Sequence, residues 1–148
     1  MVWLLNVIFS FLASYFFAVV FDAPKKIFLP AGIAGSLGWL TGEILDEIFN
    51  FPQVYSYFFG SLVLGLVCHY LGRVHKEPIT MFMIPGIIPF VPGGLSYDAV
   101  KKLMLNEVQE PVGIFTDIIM LAGAIAAGLL FAEYFFKISI KERVFIKK

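Results

Sequence analysis

The chain alternates long uncharged stretches with short charged ones, and the stretches have the length of bilayer-spanning helices. Residues 2–21 hold 20 positions without a charge, about 30 Å as a helix, the thickness of a hydrocarbon core. Apolar stretches recur at 27–45, 54–72, 79–97 and 113–136. The second is rich in small residues and ends at Glu43 and the pair Asp46-Glu47. The third opens with aromatic residues and runs into Arg73, His75, Lys76 and Glu77. The fourth contains Pro85, Pro89 and Pro92, and the fifth carries Asp117 near its start and Glu133 near its end. Between the last two, residues 98–111 place Val100, Leu103, Met104 and Val108 at helical spacing, the pattern of a short amphipathic helix at the membrane surface. Residues 137–148 form a basic tail. The pattern predicts an all-α polytopic membrane helical bundle, one transmembrane domain of about five spans with the fourth broken.

Composition agrees with that pattern. Of the 148 residues, 59% are hydrophobic and 15% charged, with a mean hydropathy of +0.87; a soluble domain carries roughly 25% charged residues. A secretory signal begins with basic residues and ends in a small-residue cleavage site. Here the first basic residue, Lys25, follows the first stretch, so a retained helix is expected. Formal net charge is zero, which offers nothing to nucleic acid. The single cysteine, Cys68, excludes an internal disulfide and a cysteine-based zinc site, and in an apolar run it reads as a small buried residue.

Charge placement sets the topology, because Lys and Arg favour cytoplasmic loops. With five spans, Lys25, Lys26, Arg73, Lys76, Lys137, Lys141, Arg143, Lys147 and Lys148 share one side. Only Lys101 and Lys102 fall on the other, together with Asp46, Glu47, Glu107 and Glu110. The N-terminus is therefore expected outside and the C-terminus cytoplasmic, in the cell membrane. Tyr55, Tyr57, Tyr97 and Tyr134 sit near span ends, as an interfacial aromatic belt requires.

Small residues recur every four positions at Ala34, Gly38 and Gly42, and again at Ala124, Gly128 and Ala132. Such stripes let helix backbones approach closely, either within this chain or against a partner subunit. The densest feature is residues 83–94, where Ile84-Pro85-Gly86 and Val91-Pro92-Gly93 lie seven positions apart with Pro89 between them. Each interior proline removes a helix hydrogen bond and clashes with the preceding turn, at roughly 3 kcal/mol. Three prolines, with Gly86, Gly93 and Gly94, are expected to open the backbone near mid-membrane. Opened backbone cannot face lipid and must be buried in protein or line a hydrated cavity. Broken helices of this kind present main-chain dipoles to substrate in many transporters.

This segment and its surroundings resemble the threonine/serine exporter family (ThrE-type), in particular its smaller membrane module. The matching residues are Ile84-Pro85-Gly86, Phe90-Val91-Pro92-Gly93, Tyr97 and Ala99-Val100. Upstream they are Phe17-Ala18-Val19-Val20-Phe21, Pro24, Gly32, Gly35 and Gly38. The resemblance implies export of small amino acids or related carboxylates, and a larger membrane subunit of the same family or a homo-oligomer. Pro85, Gly86, Pro89, Pro92 and Gly93 would then shape the gate, with Ser96, Tyr97 and Asp117 as polar contacts. The present chain carries an additional Pro85-Gly86 and Gly94 around the Phe-Val-Pro-Gly core.

Ionisable residues within spans are functional by default unless an interface is within reach. Glu43 and Asp117 lie toward one end of their spans, His69 and Glu133 toward the other. Asp117 lies seven residues before Ala124, which places it on the small-residue face, where it is suited to a substrate ammonium or a coupling proton. No phosphate loop, paired-histidine metal motif or nucleophile elbow occurs, so neither an enzyme, a metal nor a cofactor is expected. The alternative to a transport subunit is a non-transporting scaffold that stabilises a larger partner through its small-residue stripes.

Overall fold

In a computed structural model, which describes residues 2–105 and 109–145, every regular element is helical. Six α-helices follow one another: α1 (Val2–Val20), α2 (Lys25–Glu47), α3 (Gln53–His75), α4 (Thr80–Ile87), α5 (Gly93–Met104) and α6 (Gln109–Phe145). A 3₁₀ turn at Ile88–Phe90 lies between α4 and α5. Four of these helices, α1, α2, α3 and α6, are long and apolar enough to cross a bilayer, and the bent pair Thr80–Phe90 and Gly93–Met104 makes a fifth if it counts as one span.

The turns are short and chemically specified. Pro24 and Pro52 stand immediately before α2 and α3, where a missing N–H leaves no bond unmade. Asp22, Asn50 and Lys76 take positive φ at the ends of α1, α2 and α3, Asp and Asn being the non-glycine residues that tolerate this region best. Lys26 at the start of α2 pairs with Glu77 in the α3–α4 turn, Nζ to Oε1 2.6 Å. The α1–α2 and α3–α4 turns therefore lie at the same end of the bundle.

Glycines set the packing distances. A Cβ on Gly38 would stand 2.9 Å from the Leu64 Cβ and 3.0 Å from the Gly60 carbonyl, and one on Gly42 would stand 3.2 Å from the Ser56 carbonyl. Residues 34, 38 and 42 thus face α3 across an antiparallel crossing. The other stripe also turns toward α3. Gly128 lies against Ser61 and Phe58, a Cβ on Gly65 would meet that of Ala132 at 2.5 Å, and the Phe136 ring lies 4.6 Å from that of His69. The pairs 61 with 128, 65 with 132 and 69 with 136 keep a constant offset, so α3 and α6 run parallel. Since α4 begins where α3 ends and α6 begins at the other end, α4 and α5 together carry the chain from one end of the bundle to the other.

The broken segment opens later than its proline count predicts. Helix α4 runs through Pro85 to Ile87, with one missing N–H. Pro89 falls in the first positions of the 3₁₀ turn and Pro92 immediately precedes α5, so both occupy places where no helix bond is lost. The backbone departs from helix only at Val91 and Pro92, with a bend of 52° between the halves. Residues 93–97 consequently belong with the amphipathic stretch, in one helix ending at Met104. Val108 and Glu107, assigned by sequence to that stretch, lie outside the described residues. Helix α6 continues past residue 136 to Phe145, taking up most of the basic tail; Lys147 and Lys148 lie outside the described residues.

Candidate functional site

Helix α4 lies among α1, α2 and α3. Its Pro85-Gly86 pair is buried, and Gly35 of α2 approaches so closely that a Cβ there would be 3.3 Å from the Gly86 Cα. A Cβ on Gly86 would in turn stand 2.7 Å from the Leu64 Cδ1. Ser14 of α1 sits against Gly35, fully buried, with no hydrogen-bond partner for its Oγ. Backbone-to-backbone approach at this waist is possible because Gly35 and Gly86 face each other.

A chamber lies at each end of the waist. The first, about 170 Å³, is walled by the aromatic rings of Trp39, Tyr57 and Phe90 and by the carboxylates of Glu43, Asp46 and Glu47. Gly42, Gln53 and Ser56 complete it. The three rings meet edge to face, with centroids 5.7 Å apart for Trp39–Phe90, 6.0 Å for Tyr57–Phe90 and 6.4 Å for Trp39–Tyr57. Asn6 of α1 donates from Nδ2 to the Glu43 Oε1, while the Glu43 Oε2 and the Ser56 Oγ are buried without a partner. Its described lining contains no basic residue.

The second chamber, about 420 Å³, is built by the last turns of α3, the α3–α4 turn and α6. His69, 4% exposed, bonds through Nδ1 to the Gly65 carbonyl at 2.9 Å. The Arg73 guanidinium lies over the Phe136 ring, 4.7 Å from its centroid, and Lys137 pairs with Glu133 at 2.6 Å. Along α3 the two chambers are separated by the turns between Tyr57 and His69, about 18 Å of helix. Ile79 lines the second chamber and Phe90 the first, so Thr80–Phe90 runs from one chamber to the other.

Of the residues singled out by sequence, Pro85 and Gly86 lie in the waist, while Pro89 and Pro92 flank the bend, half-buried. Gly93 is exposed, with open space where a Cβ would stand. The Ser96 Oγ donates 2.9 Å to the Pro92 carbonyl of its own first turn. Tyr97, 68% exposed, borders a shallow cleft with Val100, Lys101, Met104 and Leu105. Asp117 is exposed and joins neither chamber. It stands on the face of the small-residue stripe, but the α3–α6 register aligns Gln53, the first residue of α3, with Met120, so α3 has not begun at the level of Asp117. Of the residues that wall the first chamber, sequence singles out Glu43 as an ionisable residue near a span end and Gly42 as part of a small-residue stripe, but not their grouping with Trp39, Tyr57 and Phe90. Their signal is helical spacing, 39, 42, 43, 46 and 47 on one face of α2 and 53, 56 and 57 on one face of α3.

Comparison with known proteins places this architecture. A family model described as threonine/serine exporter, ThrE, matches residues 6–135. The chain belongs to the threonine/serine exporter family. The matched region starts at Asn6, the partner of Glu43, and contains the waist, the bend and the whole of the first chamber. A Haemophilus influenzae protein described only as uncharacterized is 28% identical over 138 residues, covering 85% of this chain and 45% of that protein. This exporter-family chain therefore spans less than half the length of that relative. No solved structure matches it. Family membership and the apolar helices together make it a multi-pass membrane protein.

Proposed function

We propose that this chain is the pathway-bearing subunit of an exporter of small amino acids, threonine and serine or related carboxylates, in the cell membrane. The observation that carries the reading is the run of Thr80–Phe90 between two chambers at opposite ends of the bundle. A span that is packed through glycine at its middle and bent at its end is a segment able to move without exposing backbone to lipid. Pro85 and Gly86 form the pivot against Gly35, and Pro89, Pro92 and Gly93 set the bend. Lys26, Arg73 and Lys137 at one end favour a cytoplasmic second chamber, a first chamber open to the outside, the N-terminus outside and the C-terminus in the cytoplasm.

A larger membrane subunit of the same family, or further copies of this chain, would complete the transporter. Support comes from the relative, of which the matching region is less than half. Cells loaded with a threonine-containing dipeptide provide the test. Deleting this chain is expected to slow threonine efflux several-fold; unchanged efflux overturns the proposal. A scaffold role is favoured by the outward face of α6, where Gly113 and Gly123 meet nothing within 4 Å. Replacing Pro89 and Gly93 separates the two: a scaffold variant keeps both partner and flux, whereas a pathway variant assembles and loses flux.

A further inference from the structure

We propose that the first chamber is a receptor for an organic ammonium group, and that it selects cationic amines over zwitterions and anions. This deepens the export reading, on which its physiological role rests, by naming the pole of the substrate that the chamber holds.

Three independent features converge on this chemistry. The first is the trio of Trp39, Tyr57 and Phe90, whose rings meet edge to face around one cavity. Aromatic faces attract alkylammonium groups, Trp most strongly, and several rings around one cavity are the usual receptor for them. The second is uncompensated negative charge. Glu43, Asp46 and Glu47 line the cavity at the C-terminal end of α2, where the helix dipole already places negative charge and where the last turn holds no basic residue. Carboxylates in that position weaken the helix, so packing alone does not account for them. The third is unmet hydrogen-bonding capacity. Ser56, 2% exposed, lines the cavity with a partnerless Oγ, and the buried Glu43 Oε2 also lacks a partner although Asn6 holds the other oxygen. Buried polar atoms without partners are few in folded proteins and call for a ligand or water to satisfy them.

Size and lining narrow the class. A cavity of about 170 Å³ is below the roughly 300–1,000 Å³ of sites for drug-sized ligands, and suits a small ammonium head. Among the described residues, no group of three or more His, Cys, Asp or Glu side chains converges as a metal site does, and aromatic walls favour a weakly hydrated organic cation over a strongly hydrated inorganic one. With no basic residue in the described lining, the chamber offers a carboxylate no opposite charge. An amino acid would bind by its nitrogen alone, and masking its carboxylate would strengthen binding.

The full-length chain, purified in lipid nanodiscs with any subunit that accompanies it, is titrated calorimetrically with threonine methyl ester, tetramethylammonium chloride, threonine and N-acetylthreonine at constant ionic strength. The ester and tetramethylammonium are expected to bind at least tenfold more tightly than threonine, and N-acetylthreonine not at all. Trp39 locates the event. With Trp3→Phe it is the chain's remaining tryptophan, and its fluorescence is expected to change with the two cations. Glu43→Gln should weaken the ester tenfold or more; Ser56→Ala, which removes only a hydroxyl, should weaken the ester severalfold and serves if Glu43→Gln does not fold. Equal binding of N-acetylthreonine and the ester overturns the proposal, as does ester affinity unmoved by Ser56→Ala. Displacement of the ester by sodium or potassium chloride at equal concentration assigns the chamber to an inorganic cation and also overturns it. Failure of cation binding with efflux still dependent on the chain rejects this inference alone. Cation binding with efflux independent of the chain rejects export alone.

Discussion

At the scale of single residues, glycine decides how near the helices come. A methyl on Gly38 would crowd the Leu64 Cβ and the Gly60 carbonyl, while one on Gly123 would face open space. Gly38→Ala is therefore expected to cost about 1–3 kcal/mol as an overpacked contact, and Gly123→Ala to be neutral or stabilising, since alanine restricts the unfolded chain and favours helix. Thermal midpoints of the two purified variants check this, and equal midpoints would contradict the packing described. The glycine and alanine stripes were legible as a four-residue repeat. The aromatic and acidic chamber was not, because Trp39 and Tyr57 share a cavity only through the antiparallel register of α2 and α3, which no local pattern encodes. Asp117 shows the converse. Its spacing puts it in line with the stripe, yet it is exposed, because a face has meaning only where another helix stands opposite.

At the scale of elements, hydropathy found the apolar stretches, and their number agrees with four spanning helices plus a bent pair. The break falls within the 83–94 segment but is confined to Val91 and Pro92. Proline counting treats every proline as equally disruptive, whereas the cost depends on whether the missing N–H had a partner, and of Pro85, Pro89 and Pro92 only Pro85 sits where one is lost. The amphipathic stretch was recognised, but its helix starts at Gly93, since Pro92 is a ready-made start. The parallel run of α3 and α6 favours a bent pair that crosses over one that returns. Topology reporters fused after Glu77 and after Leu105 are accordingly expected to mark opposite sides of the membrane. The same side for both would make the pair a re-entrant hairpin.

At the scale of the whole molecule, the 52° bend ties the protein to the thickness of its bilayer. Helix α4 with its 3₁₀ turn reaches about 18 Å along its axis, and α5 reaches about as far again. Tilted by 52°, α5 contributes only about 11 Å along that axis, so the two halves together span about 29 Å, close to a hydrocarbon core of about 30 Å. A straight helix answers a thicker membrane by losing tilt, at fractions of a kcal/mol per Å. This span is expected to answer by unbending, and opening the bend from 52° to about 30° would lengthen it by about 4–5 Å. Phe90 sits directly before the bend and walls the acidic chamber, so any change in the bend moves one wall of that cavity. Spin labels at the exposed Thr80 and Met104, in vesicles of increasing chain length, are expected to move apart by a few Å. A constant separation would mean that the bend is rigid and that lipid thickness acts elsewhere.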